Sequence, residues 1–92
     1  MEIIATFGSS HAALRAEQAC RAGAMPVELI PVPRQIRSDC GFCLLVETGE
    51  DAAEAARRFE RLSSCGAREL WRVTVVQPTP TSRKVKSYER YP

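Results

Sequence analysis

Two alanine-rich stretches, Ala12-Ala13-Leu14-Arg15-Ala16-Glu17 and Ala52-Ala53-Glu54-Ala55-Ala56, alternate along the chain with short runs of β-branched and aromatic residues. That alternation restricts the fold more than any other feature, because helices and strands demand different apolar spacings, 3.6 against 2. Glu2 to Phe7 sets Ile3, Ala5 and Phe7 on one side and Ile4 and Thr6 on the other, as a first strand does. Gly8-Ser9-Ser10 breaks it, serine suits a helix N-cap, and strong helix formers continue to about Arg21. Gly23 stands where a left-handed cap residue is wanted, with Pro26 just beyond. Val27 to Val32 reads as a second strand ended by Pro31 and Pro33. A loop from Arg34 to Gly41 leads into a third strand, Phe42 to Glu47. Gly49-Glu50-Asp51 puts acids at the opening of a second helix, with Ala52, Ala55, Ala56, Phe59 and Leu62 as its expected buried stripe. Cys65-Gly66 closes that helix, Glu69 to Val76 makes a fourth strand, and Pro78 and Pro80 end regular structure.

The order strand, helix, strand, strand, helix, strand predicts an α+β chain. With connections this short, it is the signature of a ferredoxin-like βαββαβ sandwich, two helices on one face of a four-stranded antiparallel sheet. Residues 1–76 are expected to form a single domain and 77–92 a flexible, polar basic C-terminal tail. The tail holds Arg83, Lys84, Lys86 and Arg90 against Glu89, so the globular part is near neutral although the chain carries +2. Tyr88 and Tyr91 interleave those charges, yet no apolar period fixes the segment, and nucleic acid is not an expected partner. A chain of 92 residues buries a thin core, which argues against a deep enclosed active site. Hydrophobic residues at 45% and charged ones at 26% fit a globular protein. No apolar run approaches the roughly 20 residues that span a bilayer, and Met1-Glu2-Ile3-Ile4 does not read as a secretory leader, so a cytoplasmic address with no membrane partner is expected.

Topology suggests where chemistry would gather. In this architecture the start of the first helix, the loop between strands two and three, and the end of the second helix share one rim. Ser9-Ser10-His11, the loop from Arg34 to Cys43, and Cys65-Gly66 are thereby expected to converge. Cys40 lies in a polar stretch that no period claims, and Gly41 beside it leaves room for a bulky group on sulfur. A helix N-terminus near Ser10, Arg34 or Arg37, and His11 each favour the thiolate, while Asp39 opposes it. Arg34 follows the stiff Pro31-Val32-Pro33 run, which suits a fixed anion contact. His11, the sole histidine, reads either as an orienting base or as a solvated first-turn residue.

Cys43 completes Cys40-Gly41-Phe42-Cys43, a spacing that allows a redox pair or two ligands of a shared metal, or simple packing within a strand. Cys65 reads as a resolving thiol on the same rim or as a small residue before a glycine cap, and Cys20 as filler in the buried stripe of the first helix. No complete catalytic set is visible, so a carrier is expected rather than an enzyme, with no cofactor and no resident metal. Two other readings stay open. One is a dithiol redox or metal-binding module using Cys40 and Cys43. The other is an interaction domain whose sheet face, carrying Ile4 and Ile30, pairs with a second copy of the chain.

These residues resemble the selenium/sulfur carrier-like family of small bacterial domains, sometimes fused behind a sulfur-relay domain. The resemblance rests on Thr6-Phe7, on Ser10-His11 with Ala13-Leu14 and Ala16-Glu17, and on Gly23. It rests further on Leu29-Ile30-Pro31-Val32-Pro33-Arg34 and on Ser38 before Cys40-Gly41. It covers roughly the first three quarters of the chain. It implies that Cys40 is the carrier thiol, holding a persulfide or selenopersulfide, and that Arg34 and His11 belong to its surroundings. A donor protein and an acceptor protein are the implied partners. Cys43, Cys65 and the basic tail have no counterpart in the family pattern.

Overall fold

A computed structural model describes residues 1–36, 41–49 and 51–91. It comprises β1 (Glu2–Thr6), α1 (Ser10–Ala22), β2 (Glu28–Pro31), β3 (Phe42–Glu47), α2 (Ala52–Ser64), β4 (Glu69–Val76) and β5 (Val85–Arg90). The strands form one antiparallel sheet in the order β2-β3-β1-β4-β5. Alternation along β1 sends Ile3 and Ala5 to one face and Ile4 to the other. On the first face they join Leu44 and Val46 of β3, Ala13, Ala16 and Cys20 of α1, and Ala55, Phe59 and Leu62 of α2 in the main core. Both helices therefore cover the same side. On the opposite face Ile4, Cys43, Val73 and Ile36 form a smaller buried cluster, flanked by Ile30, Trp71 and Tyr88.

Each helix opens on a side-chain cap. Ser9 is extended and its hydroxyl accepts the Ala12 amide at 3.1 Å, while Asp51 accepts the Ala53 amide at 2.9 Å. Each also closes with the paired bonds of a Schellman motif. In α2 the Ala67 amide donates to Leu62 and the Gly66 amide to Ser63, with Gly66 left-handed at φ 92° as that motif asks. In α1 the Met25 amide donates to Cys20 and the Ala24 amide to Arg21. The left-handed residue there is Ala24, at φ 62°, and not Gly23, whose φ is −87°. A Cβ at Gly23 would meet only the guanidinium of Arg61, the movable end of a flexible side chain, so the packing does not demand glycine there.

Three expectations are corrected by the structure. The sheet has five strands, not four, because the stretch expected to be a loose basic tail carries β5, paired with β4 from Trp71↔Arg90 to Val76↔Val85. Two of its cations are partnered, though exposed: Lys86 meets Glu2 at 3.1 Å and Arg90 meets Glu69 at 3.4 Å. Glu2 beside it holds Lys86 protonated to a higher pH than an ordinary lysine, through the hydrogen bond first and the charge second. Tyr91 follows β5 and stacks on Phe59 of α2, ring centroids 3.7 Å apart, tying the C-terminal strand to the main core. Ala52 and Ala56, expected in the buried stripe of α2, are exposed, and the stripe narrows to Ala55, Phe59 and Leu62. The sheet face expected to be open for pairing is partly covered within the chain, since Ile4 is buried in a cluster with Ile36 and Ile30 is half-buried.

Candidate functional site

Thr6 sits opposite Cys43 of β3 and opposite Glu69 of β4, so the connections that follow β1 and precede β3 and β4 leave from one end of the sheet. Beyond the last β1–β3 pair, Thr6↔Cys43, Gly8 follows β1 and Gly41 precedes β3, both exposed. Beside Gly41 the β2–β3 ladder runs on, the Val32 amide donating to the Gly41 carbonyl at 3.1 Å. Neither glycine has a positive φ, and among the described residues a Cβ on either would meet nothing within 4 Å. Each glycine leaves open space about its own Cα, Gly8 just before the capped start of α1 and Gly41 just before β3.

Arg34 projects from this same end. It occupies a turn closed by the Ile36 amide donating to the Pro33 carbonyl at 3.0 Å. Ile36 then drops onto the second apolar cluster, 3% exposed, and anchors a segment that reads as polar in sequence. Arg34 is therefore an exposed cation on a braced turn between Pro33 and a buried side chain. His11 is exposed as the second residue of α1, and Ser10, also exposed, opens that helix. The N-terminal amides of α1 bring partial positive charge to the sheet end. Cys40, the expected carrier thiol, lies outside the described residues, as do Arg37, Ser38 and Asp39. Gly41, its covalent neighbour, is described and exposed.

The other cysteines occupy two distinct settings. Cys43 is fully buried on the sheet face beneath Ile36, its sulfur 3.9 Å from the Pro31 carbonyl. Cys20 is fully buried in α1, and its sulfur lies 3.7 Å from that of Cys65 at the C-cap of α2. Burial, aided by the neighbouring Cys65, pushes the Cys20 thiol up to about 11. Sequence reasoning placed Cys20 among core filler and aimed Cys65 at the sheet end. The side-by-side placement of the two is a tertiary fact spanning 45 residues, with no local signal. Among the described residues, no group of three or more His, Cys, Asp or Glu side chains could hold a metal ion.

The model of the family described as "Putative Se/S carrier protein-like" matches residues 2–62. No curated protein and no solved structure matches the chain. The matched span includes Gly8, the Pro31-Val32-Pro33-Arg34 segment and the Cys40-Gly41 pair, and it ends before Cys65 and β5.

Proposed function

Because the chain belongs to the Se/S carrier protein-like family, we propose that it carries sulfur or selenium on Cys40 as a persulfide or selenopersulfide between a donor and an acceptor protein. The observation that carries this reading is the open space at Gly41: among the described residues a Cβ there would meet nothing within 4 Å, and Gly41 is bonded directly to Cys40. A bulky chalcogen adduct and an approaching partner need that space.

In the transfer, the Cys40 thiolate attacks the terminal sulfur of a donor persulfide. The donor's sulfur–sulfur bond breaks, the donor leaves as a thiol, and the adduct remains on Cys40. An acceptor thiolate then attacks the same terminal atom and Cys40 departs as a thiolate. With selenium the terminal atom is selenium and the electron count is unchanged. Arg34 on its braced turn and the amides opening α1 supply positive potential that favours the anionic adduct, and Ser10 and His11 stand at the same helix start. Cys43, buried and packed on the sheet face, supports the strand rather than the transfer.

The strand order β2-β3-β1-β4 with a helix in each crossover agrees with a ferredoxin-like sandwich extended by β5. Among the described residues no helix is long and apolar enough to cross a membrane. The carrier reading goes with a cytoplasmic address, where desulfurases generate donor persulfides. Intact mass measurement after incubation with a cysteine desulfurase and cysteine tests the carrier reading. A gain of one sulfur that disappears in Cys40→Ser and persists in Cys43→Ser is expected. A gain that survives Cys40→Ser overturns it.

A further inference from the structure

The seam between the two helices holds a second sulfur pair that the carrier reading does not use. Cys20 and Cys65 face each other with 3.7 Å between sulfurs, and their environments differ. Cys20 is sealed in the main core, whereas Cys65 is partly exposed and lines a groove of about 370 Å³ with Ala12, Arg15, Ala16, Ala19 and Gly66. One sulfur is reachable from solvent and the other is reachable only through the first. Such an arrangement suits a dithiol in which the outer thiol reacts with a reagent and the inner thiol resolves the product. Cys65 lies beyond the family-matched residues, so the pair is a property of this chain rather than of the family pattern.

We propose that Cys65 and Cys20 form a reversible dithiol–disulfide site that reacts with small-molecule disulfides entering the groove beside Arg15. The Cys65 thiol gives its proton to solvent, and its thiolate attacks one sulfur of the reagent. The reagent's sulfur–sulfur bond breaks, one thiolate leaves, and a mixed disulfide forms on Cys65. Cys20 then attacks the Cys65 sulfur and expels the second thiolate, which takes the Cys20 proton. Two electrons pass from the protein to the reagent, and the products are one protein disulfide and two reagent thiols. An external thiol in excess runs the same steps backwards. Burial of Cys20, which keeps its thiol protonated until that exchange, makes Cys65 the first to react. Closing the pair requires the two sulfurs to approach from 3.7 Å to about 2.05 Å, a movement of side-chain torsions at the C-cap of α2.

Oxidised glutathione is a suitable probe on the full chain, read by intact mass and by tryptic mapping without reduction. The expected result is loss of two hydrogens with no lasting adduct, and a linked pair of peptides, residues 16–21 with residues 62–68. Dithiothreitol should restore the starting mass. Cys65→Ser should lose the linked pair completely, and Cys20→Ser should halt with glutathione retained on Cys65. Should Cys20→Ser fail to fold, Cys20→Ala serves in its place, and the map of the unaltered chain decides by itself. Glutathione remaining on Cys65 of the unaltered chain, linkage of Cys65 to Cys40 or Cys43, or no reaction at either position would each overturn the proposal. Sulfur loading at Cys40, measured in Cys65→Ser, separates failure here from failure of the carrier reading, since the two sites share no residue.

Discussion

Two regions of this protein contrast: the sheet end at Gly41, next in the chain to Cys40, and the seam between the helices that holds Cys20 and Cys65. At the end of the sheet, β1, β2 and β3 run out together, Gly8 and Gly41 are exposed, and a braced turn holds Arg34 in solvent. Between the helices, Cys20 is enclosed by the main core and meets the partly exposed Cys65. In the proposed carrier reading the first region offers open space and positive potential to one thiol whose partners come from outside. The second offers a partner thiol from within, beside a groove at Cys65. The proposed roles differ accordingly: transfer to outside partners at the first, a cross-link within the chain at the second.

The sharpest way to break this contrast is to exchange the roles. Cys40→Ser should abolish sulfur loading outright, whereas Cys20→Ser and Cys65→Ser should leave it intact by mass measurement. Loading that tracks Cys65 instead would mean the contrast is drawn at the wrong sulfur. A smaller effect is expected at the brace beneath Arg34. Ile36→Ala removes a side chain that is 3% exposed and should lower stability by about 2–4 kcal/mol in urea unfolding, with slower loading because the turn loses its anchor. Closing the Cys20–Cys65 bond should in turn raise stability by about 2–4 kcal/mol relative to the reduced chain, because it ties α1 to α2 across 45 residues.

The pH dependence sharpens the same comparison. Cys20 has its pKa raised from 9.0 to about 11 in the folded chain, so its contribution to stability is complete below pH 9 and is lost as pH rises through 11. That loss is about 2 kcal/mol, and the unaltered chain minus Cys20→Ala isolates it from other groups. The disulfide form, with neither Cys20 nor Cys65 left to titrate, should not show it. Smallest is the difference between the two Schellman motifs. Ala24→Gly should stabilise the chain by about 1 kcal/mol by relieving a left-handed alanine, and Gly66→Ala should destabilise it by a similar amount.

Much of the frame is legible in the sequence because it is local. The bounds of β3 and β4 follow from alternation ended by glycine and proline, and α2 starts where Asp51 caps it. β5 is hidden because Val85 to Arg90 is mostly charged and polar, and its pairing depends on what precedes it. The Gln77 side chain donates to the Pro80 and Ser82 carbonyls, and the Thr79 amide donates to the Ser82 hydroxyl, so the proline-rich stretch folds into a turn instead of ending the structure. The room at Gly41 is half legible: its place beside Cys40 is read from the sequence, whereas the open space around it depends on how β2 and β3 end. Ile36 looks like one apolar residue in a polar loop until the second face of the sheet exists for it to cover. Cys20 and Cys65 each had a plausible local reading, and only helix packing shows that they belong together.

β5 also decides how this chain behaves toward others of its kind. β4 is eight residues long and carries Val73, Val75 and Val76, and without a neighbour beyond it the strand would present a bare row of amides and carbonyls to any passing chain. The strand that closes it brings Lys86, Glu89 and Arg90 to the outermost position, where charge discourages further addition. The C-terminal hairpin is thus a guard rail against aggregation, and a shortened chain ending near Val76 would lose its solubility before it lost its core.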